Sequence, residues 1–252
     1  MGRPLIVQIY EIQDPWEAEQ CVELGVDHVG SVLLNRDRWK DAKVKEVIEV
    51  VQRGGAKSSL IPLFSELRLI LAALDYYRPD FVHFCQTLTT ERGELIDLAP
   101  LVSLQEEVRA RFPEIRVIRS IPVPLSSKAK GFPTLGLARR FEEVTDIFLT
   151  DTTLGKEPVE GFIGITGVLP DLELARQLVE QSSIPVILAG GLSPDNVFEA
   201  LIKVRAAGAD SCTWTNRLDS QGRPIRFQKD FERVKRFVQQ VRRAEKALEP
   251  DK

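Results

Sequence analysis

Short aliphatic runs alternate with amphipathic stretches along the whole chain. The runs are Leu5–Tyr10, His28–Leu34, Ser59–Phe64, Phe81–Cys85, Ile115–Val123, Ile147–Asp151, Ile184–Ala189 and Ala209–Thr213. Continuous apolar segments of this length suit strands buried on both faces, as in a parallel sheet covered by helices. The intervening stretches carry helical periodicity over Trp16–Leu24, Ala42–Gln52, Glu66–Tyr77, Leu98–Arg111, Pro133–Phe141, Asp171–Gln181, Asn196–Val204 and Lys229–Ala247. In the third of these, Leu67, Ile70, Leu71 and Leu74 recur at the spacing of one helix face. Punctuation agrees with the periods. Asp14-Pro15 opens the first helix and Gly25 closes it, Gly54-Gly55 ends the second, and Ser193-Pro194 starts the seventh.

Eight strands alternate with eight helices, and no low-complexity linker or composition break divides them. That alternation predicts an α/β fold, a single (β/α)8 barrel occupying residues 1–252 as one domain. Four connections are longer than a barrel requires: Asn35–Asp41, Gln86–Asp97, Pro124–Thr134 and Thr152–Gly161. All follow strands, and Leu218–Phe227 extends the loop after the last one. Loops after strands build the active face of this fold. Function is therefore expected at Tyr10 and Glu11, Asn35–Trp39, Cys85 and Gln86, Asp151, and two glycine turns.

Those turns lie in the stretch Gly161–Val197, which organises the chain. Gly164-Ile165-Thr166-Gly167 follows the sixth strand, and Gly190-Gly191 follows the seventh and leads into a capped helix. Glycine lets backbone approach a ligand closely, and the free N–H groups of a following helix favour an anion. Either turn alone reads equally well as a tight connection. Together, on consecutive parallel strands, they point to a phosphate held by the loops after strands six and seven.

Charge and composition remove other classes. A formal net charge of −3 with 43% hydrophobic residues gives no basic footprint for nucleic acid. Lys235, Arg236, Arg242, Arg243 and Lys246 fall at helical spacing among acids and apolar residues, which suits a solvated helix face. No apolar run is long enough to cross a bilayer, and Met1-Gly2-Arg3-Pro4 leads straight into the first strand without a leader, so a cytoplasmic protein is expected. Cys21, Cys85 and Cys212, with His28 and His83, have neither zinc-site nor disulfide spacing. No metal, no dinucleotide fingerprint and no need for an organic cofactor are expected. Oligomeric state is not set by any of these features.

With the strand ends laid out, the chain resembles the phosphoribosylanthranilate isomerase family of tryptophan biosynthesis over nearly its whole length. Asp151-Thr152, Gly164–Gly167 and Asp171 are similar to that family's Asp-Thr, Gly-Gly-Thr-Gly and Phe-Asp-Trp series. Leu188–Val197 is similar to its Gly-Gly-Leu-x-Pro-x-Asn-Val stretch, Gln13–Gly30 to its early helix and Gly-x-Asp-x-x-Gly, and Lys229-Asp230 to the start of its last helix. The resemblance implies an Amadori rearrangement of a phosphorylated aminosugar. An acid assists ring opening, a base removes the proton next to the imine carbon, and backbone amides hold the phosphate.

On that resemblance Asp151 is the acid, Gly164, Thr166, Gly167, Gly190 and Gly191 bind the phosphate, and Arg38 with Trp39 meets the anthranilate carboxylate. Asp151 also reads as a loop cap with Thr152 and Thr153, and Arg38 as part of a solvated loop. Three positions depart from the family. Tyr10 stands where it has its catalytic cysteine, and a phenol of ordinary acidity is a poor base at neutral pH. Beside it, Glu11 replaces a glycine. Glu11 is a candidate base if turned inward; the plainer expectation is that Tyr10 packs the barrel mouth and Glu11 is solvated. Cys85 stands at the family's histidine position, either as a relocated thiol activated by His83 two residues earlier or simply as a buried residue. Trp214 replaces a glycine that would let backbone approach a phosphate. Two readings therefore stand beside the isomerase: a barrel that binds a phosphorylated small molecule without catalysing, and a different reaction using Glu11 or Cys85.

Overall fold

The computed structural model describes residues 4–249; Met1, Gly2 and Arg3, on which the expected run into the first strand partly rests, lie outside them. Eight parallel strands form a closed barrel in sequence order: β1 (Ile6–Ile9), β2 (His28–Leu33), β3 (Lys57–Pro62), β4 (Phe81–Phe84), β5 (Arg116–Pro124), β6 (Ile147–Thr153), β7 (Val186–Leu188) and β8 (Gly208–Ser211). Each is followed by a helix: α1 (Pro15–Glu23), α2 (Ala42–Arg53), α3 (Leu67–Tyr77), α4 (Ala99–Arg111), α5 (Thr134–Phe141), α6 (Leu172–Gln181), α7 (Val197–Val204) and α8 (Phe231–Leu248). The circle closes where β1 pairs with β8, Gln8 opposite Asp210. The (β/α)8 barrel expected from the alternation is the fold observed.

Helix ends follow the polar punctuation. Asp14, Asp41, Asp171 and Asp230 each accept a backbone N–H from the first turn of the helix they precede, removing orphan donors. In α8 Val234, Phe237, Val238, Val241 and Ala244 are buried against a core of β1, β8, α1 and α7 residues. Lys235, Arg236, Arg243 and Lys246 are exposed, as their spacing predicts, whereas Arg242 is half-buried and donates to Leu5 O and Asp27 Oδ2.

Three boundaries differ from those read in the sequence, each for a local reason. The seventh strand shortens to Val186–Leu188 because Gly190 and Gly191 both take positive φ and release the chain early. The eighth ends at Ser211, since Thr213–Thr215 coils into a 3-10 turn. Leu218–Phe227 falls within an antiparallel hairpin, β9 (Asn216–Leu218) with β10 (Pro224–Lys229), and is not an open loop.

The barrel's interior is unusually polar. Gln8 donates to Asp210 at 3.2 Å and bonds His28 at 3.1 Å, while Tyr10, His83, Ser59 and Ser120 form a second chain. Burial holds both histidines neutral, pulling His28 down to about 4 and His83 to about 3. Outside the barrel wall the fully buried Arg119 donates to Gln86 and stacks on Phe141, which pins the start of the loop after β4.

Candidate active site

Strands β1, β4, β6 and β8 deliver side chains to one cavity at the C-terminal mouth of the barrel, about 780 Å³ with its open mouth included. Tyr10, Glu11, Cys85, Asp151, Asp210, Gly164, Thr166, Gly167, Gly190, Gly191, Trp214 and Arg226 all line it. Of the positions expected to carry function, Arg38 with the rest of Asn35–Trp39, and Gln86, stay outside this lining. Arg38 is exposed in the 3-10 turn Arg36–Arg38, and Trp39 packs its ring against Tyr76 at 5.9 Å. That side of the turn packs against the outer helix layer, and neither Arg38 nor Trp39 lines the cavity.

Asp151 stands near the end of β6. Burial, with a further contribution from the charge of Asp210, pushes its carboxyl up to about 8. The carboxyl is thus protonated at neutral pH and can give a proton away. Gly164 makes room for it, because a Cβ there would sit 2.4 Å from Asp151 Oδ2. Thr152 N–H donates to Oδ1 at 2.9 Å. The capping contact and the cavity position coexist, so the two readings of this residue do not compete.

Glu11 is the main correction. It is not solvated: its side chain is 2% exposed, and Arg226 holds it. Arg226 Nε donates to Oε1 at 2.7 Å, and Nη2 makes an ion-pair contact with the same oxygen at 2.5 Å. Oε2 is buried without a partner among the described residues. The backbone at Glu11 takes φ 66°, a left-handed conformation costly for a non-glycine residue. Here that turn directs the side chain to the cavity.

Tyr10 fills the interior below the mouth and is fixed there. Its hydroxyl lies 2.5 Å from Ser59 Oγ and 2.8 Å from His83 Nδ1, and burial raises the phenol well above its usual value. Space for the ring comes from Gly30, where a Cβ would lie 2.0 Å from Tyr10 Cδ1. Two features weigh against the thiol reading of Cys85. Burial, reinforced by the charge of Asp151, pushes it up to about 12. His83 spends both ring nitrogens on Tyr10 and Ser120, leaving nothing with which to activate Cys85.

The glycine turns form one wall. A Cβ at Gly190 would meet Thr152 Oγ1 at 2.2 Å, and one at Gly191 would meet the Val168 carbonyl carbon at 2.5 Å. Only glycine allows this approach, and it brings the two turns together. None of the N–H groups of Gly164, Thr166, Gly167, Gly190 or Gly191 donates to an acceptor among the described residues. Trp214 ties the turn after β8 to the same wall, its Nε1 donating to Gly167 O at 2.8 Å.

Two residues escaped the sequence reading. Asp210 is 7% exposed in β8, where burial drives it up to about 7 against the opposing effects of Gln8 and Lys229. An acid inside an apolar strand was its available signal. Arg226 gave none, because its partner Glu11 is 215 residues away. Among the described residues no group of three or more His, Cys, Asp or Glu could hold a metal. No helix there is long and apolar enough to cross a membrane.

A family model described as N-(5'phosphoribosyl)anthranilate (PRA) isomerase matches residues 103–240. The N-(5'-phosphoribosyl)anthranilate isomerase of Methanosarcina acetivorans is 31% identical over 242 residues, covering 94% of this chain and 92% of the relative. Isomerase 1 of Methanosarcina mazei is 31% identical over 246 residues, 94% of each. Solved structures agree on the fold. The isomerase of Pyrococcus furiosus superposes with a TM-score of 0.64 at 20% identity, covering 95% of this chain and 99% of that one. That of Thermotoga maritima gives 0.67 at 20%, covering 94% and 98%. A phosphoribosylanthranilate isomerase solved in complex with reduced 1-(o-carboxyphenylamino)-1-deoxyribulose 5-phosphate gives 0.66 at 18%, again covering 94% and 98%.

Proposed function

The chain belongs to the N-(5'-phosphoribosyl)anthranilate isomerase family, and from that premise we propose that it catalyses the Amadori rearrangement of phosphoribosylanthranilate with Asp151 as acid and Glu11 as base. The observation that carries this reading is the pairing of two unlike carboxyls in one cavity. Asp151 is raised to about 8 and holds its proton at neutral pH. Glu11 sits against a guanidinium with one oxygen unpartnered. Two carboxyls in one cavity, one holding its proton and the other with an oxygen free to accept one, can divide acid and base work between them.

Asp151 would deliver its proton to the ribose ring oxygen as the ring opens to the imine. Glu11 Oε2 would then take the proton from the carbon beside the imine carbon, and the resulting enamine becomes the aminoketose. The free amides of Gly164, Thr166, Gly167, Gly190 and Gly191 suit the phosphate. Glu11 takes the part that a cysteine plays in the family at the position filled here by Tyr10. This chemistry calls for no resident metal or organic cofactor, and the reaction is one of a cytoplasmic biosynthetic enzyme built as a single barrel domain.

The test compares turnover of freshly generated phosphoribosylanthranilate by the wild type, Glu11→Gln, Tyr10→Phe and Cys85→Ala. Glu11→Gln is expected to lose about 10²–10⁴ in kcat, the worth of a general base, while the other two stay within about tenfold of the wild type (~1.4 kcal/mol). Full activity in Glu11→Gln would remove the base from this scheme. A collapse in Cys85→Ala alone, with the fold intact, would favour the thiol reaction instead.

A further inference from the structure

We propose that Arg226, on the hairpin after β8, is the receptor for the substrate's second anionic group, the aryl carboxylate, and so sets specificity from an element outside the barrel. This rests on the isomerase reading and deepens it. Three acids line the cavity, Glu11, Asp151 and Asp210, and Arg226 is the only lysine or arginine among the described lining residues. A substrate with a phosphate at one end and a carboxylate at the other must satisfy two negative charges there. The phosphate has the glycine amides. The carboxylate has Arg226, since Arg38 is exposed outside the cavity.

The guanidinium has the capacity. Its Nε–H goes to Glu11 Oε1, and Nη2 lies in ion-pair contact with the same oxygen. The N–H groups of Nη1 have no partner among the described residues, and the side chain is 39% exposed. Arginine presents its donors as a fork matched to a carboxylate. A guanidinium that grips Glu11 on one edge and the aryl carboxylate on the other also fixes the substrate against the base.

The hairpin itself is shaped for this. Pairing between β9 and β10 shifts register between Pro224 and Lys229, and Phe227 takes φ 60°. Bulges of this kind re-aim side chains beside active sites. The Phe227 ring lies 4.8 Å from the Arg226 guanidinium carbon, a supporting cation–π contact. At the hairpin's base Lys229 Nζ donates to Cys212 O and Asn216 Oδ1 and is 1% exposed, so the arm is anchored to the barrel rim.

The experiment measures, by calorimetry, binding of reduced 1-(o-carboxyphenylamino)-1-deoxyribulose 5-phosphate and of its analogue lacking the carboxyl, to the wild type, Arg226→Gln and Arg226→Lys. The wild type is expected to prefer the carboxylated ligand by about 30-fold, as a forked charge-assisted pair allows. Arg226→Gln should bring that ratio to about threefold or less, with Arg226→Lys between them. Binding of the analogue should change little. Equal weakening of both ligands, or an unchanged ratio, overturns the assignment, the first by pointing to the phosphate. Turnover is read separately. A wild type that shows the ratio but does not convert substrate keeps the assignment and sinks the isomerase chemistry. Conversion with an unchanged ratio in Arg226→Gln sinks the assignment alone.

Discussion

At Asp151 the burial that suits the carboxyl for giving up a proton also works against the fold. Its folded value of about 8 lies above the 3.8 of an unperturbed aspartate. Between those values the folded protein binds more protons than the unfolded chain, so this residue's contribution to stability falls as pH rises and is lost fully above 8. Asp151→Asn should therefore unfold at higher denaturant than the wild type at pH 8, by about 2 kcal/mol after allowance for partial solvent access. The gap should close near pH 4. The same variant should lose about 10²–10⁴ in kcat. Denaturation at the two pH values checks the first expectation, and wild-type kcat falling above pH 8 checks that the protonated form is the working one. Asp151 was legible because a strand-end acid next to a glycine turn is a local pattern. The burial of Glu11 was not, because it depends on a guanidinium delivered from the far end of the chain.

Elements explain how the bulky Tyr10 is tolerated. β1 and β2 pair so that Gln8 faces His28 and Ile9 faces Val29, which sets Gly30 against the Tyr10 ring. Gly30→Ala should cost about 1–3 kcal/mol through overpacking. Combining it with Tyr10→Cys should recover part of that loss, a coupling that a double-mutant cycle would measure. The glycine was visible in the sequence as part of Gly25-x-Asp27-x-x-Gly30, but its partner across the strands was not. The hairpin was hidden for a different reason. β9 has three residues, and most of the pair is exposed or half-buried, so no alternation of apolar and polar positions marks it. Replacing Arg217–Gln228 with a short turn, while keeping Asn216 and Lys229, should leave the helical circular dichroism unchanged. It should also lower kcat/KM by about 10² or more, since it removes the partner of Glu11.

For the molecule as a whole, eightfold alternation was enough to specify the barrel, because runs buried on both faces have few other homes. The filling of the barrel could not be read the same way. Gln8, His28, Ser59, His83, Ser120 and Asp210 occupy interior positions that pattern alone assigns to aliphatic residues, and only their mutual hydrogen bonds make the arrangement affordable. Closure depends on the chain's two ends, with β1 against β8 and α8 packed beneath them. A single cooperative unfolding transition by circular dichroism is expected. A chain truncated before Phe231 should fail to fold, since it exposes the apolar patch that α8 covers.

The most direct measurement is the fluorescence decay of freshly generated phosphoribosylanthranilate mixed with purified protein under anaerobic conditions, run beside Asp151→Asn. Rapid conversion by the wild type, reduced at least about a hundredfold in the variant, is the expected result. Decay no faster than spontaneous hydrolysis with a folded wild type, or equal rates in both proteins, would contradict it and leave the family relationship as one of ancestry and fold.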